Sequence, residues 1–142
     1  MELVNHMIPR ITQLSSRDTL FYLDKGGRIF EAKSWAEAES KNSFRSIVEI
    51  DASTGGVTKP VARAKTKTKI MEKMVDIAKE RGEGKKFRAV ILHIKAREQA
   101  EKLREAVLSL LQCEEIYISE GSATVAVFNS RGLIELAFYS SD

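Results

Sequence analysis

The sequence predicts an α/β protein in which helices pack on a mixed β-sheet. Two observations support this fold class: apolar residues recur at helical spacing in some segments, and they form short continuous or alternating runs in others. The two kinds of segment alternate along the second half of the chain, as in layered α/β folds. The chain has 142 residues, 43% of them apolar, so residues 1–142 are expected to form a single α/β domain.

The first predicted elements are two short helices. One is predicted over 19–23, with Ser16 as its N-cap and with Gly26 or Gly27 at its end, because glycine adopts the left-handed conformation at low cost. A polar helical segment is predicted over 34–39. Two strands then follow.

The two strands are predicted over 47–50 and 57–64. The segment A-S-T-G-G between them is typical of a hairpin connection. They add an antiparallel pair to the predicted sheet.

The second half has stronger periodicity. A helix is predicted over 69–81, where apolar residues form one stripe and Gly82 and Gly84 follow as a stop. The next segment, F-R-A-V-I-L-H-I at 87–94, is nearly continuous in apolar residues, so we predict a strand that is covered on both faces.

Four further elements complete the predicted order α-β-α-β-α-β. A helix over 96–111 carries an apolar stripe, and E-I-Y-I-S-E at 115–120 alternates like a strand. A short helix over 122–129 and a final strand over 133–139 follow.

Composition excludes several classes of protein and site. No window reaches the roughly 18 apolar residues of a membrane-crossing helix, and the first residues do not resemble a secretion signal, so a cytoplasmic location is expected. One cysteine, Cys113, cannot form an internal disulfide, and with two histidines, His6 and His93, it cannot build a structural zinc site. We expect no cofactor. His93 and Cys113 are interpreted as structural residues because neither has an identifiable activating partner.

The net charge of +3 hides one basic stretch. Six basic residues and one acid, Glu72, lie between Lys59 and Lys73. In an extended strand, alternate residues of R-A-K-T-K-T-K would share one face and could follow a row of phosphates. A helix that begins near Thr66 or Thr68 would interrupt this row, and no aromatic residue lies within it to stack on bases. We therefore favour a solvated strand-to-helix junction, and nucleic acid is an unlikely partner.

Three segments together resemble the C-terminal lobe of the DegV family. They are D-T-L-F-Y-L-D-K-G-G-R-I (18–29), V-A-R-A-K-T-K-T-K-I-M-E-K-M-V (61–75) and G-L-I-E-L-A-F-Y (132–139). The resemblance covers essentially the whole chain. It implies one lobe of a bacterial fatty-acid-binding protein, some members of which present the lipid to a separate fatty acid kinase. It also implies a preceding N-terminal lobe that this chain lacks. The chain is therefore either part of a two-lobe protein, which is the interpretation we favour, or a natural single lobe.

The resemblance assigns roles to the residues around the G-G-R motif. Gly26, Gly27 and Arg28 match this motif, whose arginine is implied to lie near the lipid head group and the kinase-facing surface. From its chemistry alone, the motif is either a helix end followed by a surface arginine or a site for a phosphate or carboxylate. Lys65 stands where the family usually has a second arginine, and Arg63 is a possible substitute.

A second motif departs from the family pattern. The family typically has H-T-G-P-G before the last strand, with the histidine at the carboxylate, whereas this chain has F-N-S-R-G. Phe128 replaces the histidine and cannot hydrogen-bond to an anion. Three alternatives follow: Arg131 or Asn129 holds the anion, the ligand is a different lipid, or the site is lost.

The leading hypothesis is a non-enzymatic lobe that binds a long-chain fatty acid or related lipid. Its implied partners are the N-terminal lobe and a fatty acid kinase subunit. The alternative is a degenerate lobe that serves protein–protein interaction or dimerisation without lipid.

Overall fold

A computed structural model describes residues 1–29 and 33–140 as a six-stranded sheet with helices on both faces. The strands are β1 (Ile11–Ser16), β2 (Arg45–Asp51), β3 (Lys59–Ala64), β4 (Phe87–His93), β5 (Cys113–Glu120) and β6 (Ile134–Ser140). The helices are α1 (Glu2–Met7), α2 (Phe21–Lys25), α3 (Lys33–Asn42), α4 (Lys67–Gly82), α5 (Arg97–Leu110) and α6 (Ala123–Asn129). Short 3₁₀ turns follow α1 and β2 at Ile8–Arg10 and Ala52–Thr54.

The sheet is mixed, as the sequence predicts. Its strand order is β3-β2-β1-β6-β4-β5. β4 and β5 are parallel and are connected through α5, while the other described pairs are antiparallel. β1 and β6 therefore form the middle of the sheet.

One face of the sheet is covered by α4 and α5 and contains the main core. Leu14, Ile91 and Leu136 point to this face from three adjacent strands and are fully buried. Both helices contribute the apolar stripe that their sequences predict, with these members buried: Ile70, Met74, Ala78, Ala100, Leu103 and Val107.

The opposite face is covered only in part. Ile47 belongs to the main core, so its neighbour Val48 points to the other face, where it packs with α2 and α3. A second, smaller cluster forms there from Leu20, Leu23, Ile29 and Val48.

Beyond this cluster, β4, β5 and β6 leave an uncovered strip. Val90 lies opposite Tyr117 on β5 and Ala137 on β6, and Val90 and Tyr117 are 41% and 61% exposed. We call these three residues the open face. The prediction that strand 87–94 is covered on both faces is therefore wrong within the described residues.

Most of the other predicted elements are confirmed. The α-β-α-β-α-β order appears as α4 to β6, the hairpin as β2 and β3, and the polar helical segment as part of α3. Ser16 is not an N-cap, because it is the last residue of β1 and α2 begins only at Phe21. The Thr19 hydroxyl accepts the Phe21 N–H instead, at 3.1 Å. Neither β1 nor α1 was predicted.

The basic stretch is a strand-to-helix junction. β3 ends at Ala64, and Thr66 caps α4 by accepting the Lys69 N–H at 3.2 Å. Lys67 forms an ion pair with Asp18, at 3.4 Å. The row of cations that an extended strand would present is thus broken, and the favoured interpretation is confirmed.

The structural interpretations of His93 and Cys113 fit their surroundings. His93 is 3% exposed, and its Nδ1 accepts the N–H of Ala96 at the start of α5, at 3.4 Å. The Cys113 thiol donates to the Glu115 carbonyl, and burial raises its pKa, which disfavours the reactive thiolate.

The described residues contain neither a membrane-spanning helix nor a metal-binding cluster. None of the described helices is long and apolar enough to cross a membrane. Residues 1–29 and 33–140 contain no group of three or more histidine, cysteine, aspartate or glutamate side chains placed to hold a metal ion.

Candidate functional site

A cleft of about 490 Å³ lies between α2 and α6, on the same side of the sheet as the open face. Gln13 and Ser15 of β1 and Glu135 of β6 line its base. Gln13 lies opposite Ala137, so the base of the cleft continues directly into the open face. We call this space the α2–α6 cleft. A wider groove of about 720 Å³, at the opposite end of the sheet, contains none of the predicted site residues.

The two glycines at the end of α2 serve different purposes. Gly27 has a φ of +68°, so the chain turns there through the left-handed conformation that favours glycine. Gly26 has an ordinary φ of −78°, but a Cβ there would lie 2.6 Å from Cδ1 of Phe128. The first glycine therefore admits the aromatic ring, and the second makes the turn that leads to Arg28.

Arg28 is held against that ring. Its guanidinium carbon lies 3.7 Å from the centre of the Phe128 ring, and Nη1 donates to the Gly26 carbonyl at 2.7 Å. Stacking on an aromatic face and a backbone hydrogen bond both restrict the arginine. Phe128 thus positions a cation in the wall of the cleft.

The remaining predicted site residues divide into two groups. Asn129 lines the cleft, and its Nδ2 donates to the Val125 carbonyl at 2.9 Å. Arg63, Lys65 and Arg131 do not line it. Arg63 stacks instead between two aromatic rings, with centroid distances of 4.6 Å to Trp35 and 4.9 Å to Phe44. Lys65 and Arg131 are exposed.

Arg17 is a cleft residue that the sequence analysis does not identify. It follows β1 directly, lines the cleft and is only 4% exposed. Its Nη2 donates to Ser15 Oγ at 2.7 Å, whereas Nε and Nη1 are buried without an acceptor. Burial lowers the pKa of Arg17 to about 10, so the side chain stays charged at neutral pH. The signal that could have indicated it is alternation: Arg17, directly after β1, continues the alternation of Gln13 and Ser15, and all three line the cleft.

Two glutamates lie within electrostatic range of Arg17. Burial raises the pKa of Glu39 from its ordinary value of 4.5 to about 7, against the opposing effects of a hydrogen bond from Ser46 and of the Arg17 and Arg45 charges. Burial also raises the pKa of Glu135, against the opposing effects of a hydrogen bond from Gln13 and of the Arg17 charge. Glu39 therefore carries less negative charge near neutral pH than an exposed glutamate does, and the pKa of Glu135 is shifted in the same direction.

We expect Glu39→Gln to make stability less dependent on pH. Because the folded-state pKa of about 7 exceeds the ordinary 4.5, the folded protein retains a proton that the unfolded chain releases in this window. The stabilisation is complete below pH 4.5 and is lost as pH rises through 7, by roughly 1 to 3 kcal/mol because solvent screens part of the interaction. Urea unfolding of wild type and variant at several pH values measures the difference. Glu37→Gln, at an exposed position of the same helix, is the control, and identical pH slopes for all three proteins would contradict the prediction.

These features define a class of protein: an α/β lobe with a mixed sheet that two long helices cover on one face and with a cation-lined cleft on the other. The chain belongs to the DegV family, since the family model described as "Uncharacterised protein, DegV family" matches residues 1–141. This confirms the resemblance that the G-G-R segment and its companions indicate. No curated protein sequence matches the chain.

Solved structures of DegV proteins share the fold. A DegV family protein from Corynebacterium glutamicum is 22% identical with a TM-score of 0.81, over 94% of this chain and 49% of that protein. One from Thermus thermophilus, described as fatty acid binding, is 25% identical with a TM-score of 0.79, over 92% and 46%. The Streptococcus pneumoniae fatty acid kinase B3 protein, loaded with linoleic acid, is 18% identical with a TM-score of 0.83, over 99% and 48%. The chain spans about half the length of each.

Proposed function

We propose that the chain binds a fatty acid or a related single-chain lipid, jointly with a second lobe. The observation that carries this proposal is the α2–α6 cleft in a member of the DegV family. Arg28 is stacked on Phe128 in the wall of this cleft, and the base of the cleft continues into the apolar open face. A charged head group and an alkyl chain require this combination of cationic and apolar surface. The relatives from Thermus thermophilus and Streptococcus pneumoniae, described with fatty acid, support the same assignment.

The open face supports the role of a second lobe. Val90 lies in the middle of β4, whose other side is buried in the main core, and Tyr117 lies beside it on β5, whose other side packs against that core. Exposed apolar side chains in such a position indicate a surface that another structure covers. The relatives are about twice as long as the matched region, so their remaining half is the natural candidate. In this proposal the chain has a binding role rather than a catalytic one, and it presents the head group to a separate kinase.

Lipid binding by the complete protein in which this chain occurs tests the proposal. Displacement of a fluorescent fatty acid by unlabelled palmitic acid should be saturable at micromolar concentration. We expect Arg28→Met to weaken palmitic acid binding about 10- to 100-fold, since it removes a charged hydrogen-bond donor from the cleft wall.

The matched control is Arg104→Met, an exposed arginine on α5, which covers the opposite face of the sheet. It should bind lipid like the wild type. Absence of saturable binding in the wild type would overturn the proposal. Self-association through the open face without lipid binding would then favour a protein-interaction role.

A further inference from the structure

Arg17 has more hydrogen-bonding capacity than its surroundings satisfy. Its side chain is buried at the end of β1, and the bond from Nη2 to Ser15 Oγ is the hydrogen bond that the structure gives it. Nε and Nη1 are buried and have no acceptor among the described residues. Because Nε carries one hydrogen and Nη1 two, most of the guanidinium's N–H groups are unsatisfied.

The neighbouring carboxyl groups do not compensate for this. Glu39 and Glu135 act on Arg17 through their charges, but neither accepts a hydrogen bond from its Nε or Nη1. Native proteins rarely leave a buried charged donor without an acceptor, because the group has lost its water and gained nothing in return. Arg17 lines the α2–α6 cleft, so a ligand bound there is the available source of the missing acceptor.

We propose that Arg17 binds the oxyanion head group of the lipid. It would supply the hydrogen bonds that the side chain of Phe128 cannot donate. This inference rests on the proposed lipid-binding function and names the group that anchors the ligand. A carboxylate or a phosphate presents several acceptor oxygens to the guanidinium fork, so either head group fits this chemistry. Arg28, stacked on Phe128 in the same cleft, adds a second positive charge.

No sequence motif indicates this site, because its residues come from different strands of the sheet. Ser15 of β1 fixes one nitrogen of Arg17, and Glu135 lies opposite Ser15 on β6. A head group at Arg17 places the alkyl chain over the base of the cleft, from which Gln13 and Ala137 lead to the open face. One ligand can therefore occupy both the charged and the apolar surface.

Three ligands with the same alkyl chain test this inference: dodecanoic acid, its uncharged methyl ester and dodecyl phosphate. Their affinities are measured by competition on the complete protein, as wild type, Arg17→Met and the control Arg104→Met. We expect Arg17→Met to weaken the preferred anion at least about 30-fold, as when one partner of a buried charge pair is removed. Binding of the methyl ester should not change. The preferred anion in the wild type distinguishes a carboxylate from a phosphate head group.

The unfolding midpoint of the ligand-free protein separates an anchoring role from a structural one. Arg17→Met removes a buried charge whose Nε and Nη1 have no acceptor, so its midpoint should equal or exceed that of the wild type. If this variant does not fold, Arg17→Lys serves instead, because it keeps the charge but loses the planar guanidinium. It should weaken binding of the anion more than binding of the methyl ester.

Two results would overturn the inference. Equal affinity of wild type and Arg17→Met for the anion would show that Arg17 does not contact the head group. An equal loss for anion and ester would show that Arg17 only supports the fold. If the wild type binds none of the three ligands, the proposed function itself fails, which is distinguishable from both.

Discussion

Truncation of Leu14 to alanine is expected to reduce the free energy of unfolding by about 3 to 5 kcal/mol. Leu14 is fully buried in β1, in the middle of the sheet, opposite Glu49 on β2 and Leu136 on β6. The neighbouring strands and α4 and α5 surround the site, so the structure cannot collapse easily into the cavity left by the missing methyl groups. This loss is a large fraction of the stability of a small domain.

Urea unfolding of the wild type, Leu14→Ala and Leu110→Ala measures this effect. Leu110 is the matched control because the same chemical change occurs there at a position near the end of α5 that is 61% exposed. Its truncation should change stability by no more than about 0.5 kcal/mol. Equal losses for the two variants would mean that Leu14 does not face the core and that the register of β1 is different.

The part of the fold that the sequence predicts is the part with strong local periodicity. α4 and α5 each carry an apolar stripe long enough to identify a helix and its buried side. β1, in contrast, reads I-T-Q-L-S-S, and Leu14 is its only large apolar residue on the core side. Its two neighbouring strands hold it in place through backbone hydrogen bonds, which leave no signal in its own side chains.

β4 shows a different limit of local patterns. A continuous apolar run indicates two buried faces, yet Val90 lies on the open face and is 41% exposed. The apolar run indicates that an apolar side chain is favoured at Val90. It does not indicate whether the surface that covers Val90 belongs to the described part of this chain or to another lobe.

The candidate site was predicted in part. Resemblance to the family identified Gly26, Arg28 and Phe128, which the structure brings together. It also grouped Arg63 with them, but Trp35 and Phe44 hold that guanidinium outside the cleft lining. A contact between aromatic rings and a cation from separate elements depends on the tertiary fold, so no spacing along the chain predicts it. Arg17 was missed because the strand that it follows, β1, was not predicted, so the shared side of Gln13, Ser15 and Arg17 was not recognised.

Replacement of Gly26 by alanine is expected to displace the Phe128 ring and to loosen Arg28. The new Cβ would lie 2.6 and 2.9 Å from two carbons of that ring and 3.2 Å from the Tyr22 carbonyl oxygen. Since the φ of Gly26 is ordinary, the cost is steric, and we expect a loss of about 1 to 3 kcal/mol in stability. Lipid affinity should fall as well, because Arg28 loses its stacked position. Thermal unfolding and the aromatic NMR signals of Phe128 report the two effects.

Gly27→Ala is the control that separates steric from backbone cost. A Cβ at Gly27 meets nothing within 4 Å, but the φ of +68° costs about 1 kcal/mol for an alanine. The Phe128 signals should therefore stay unchanged in this variant. Unchanged Phe128 signals in Gly26→Ala as well would contradict the predicted contact.

A double-mutant cycle with Phe128→Ala determines why the first glycine is present. Without the ring, a Cβ at Gly26 has room, so Gly26→Ala should cost much less in the Phe128→Ala background than in the wild type. A large coupling energy would show that the glycine serves the ring that carries Arg28, rather than exposing backbone N–H groups to an anion. The G-G-R motif would then act through its arginine, and a head group in the cleft would depend on guanidinium groups for its hydrogen bonds. Additive losses would instead indicate that Gly26 is required by the backbone at the end of α2.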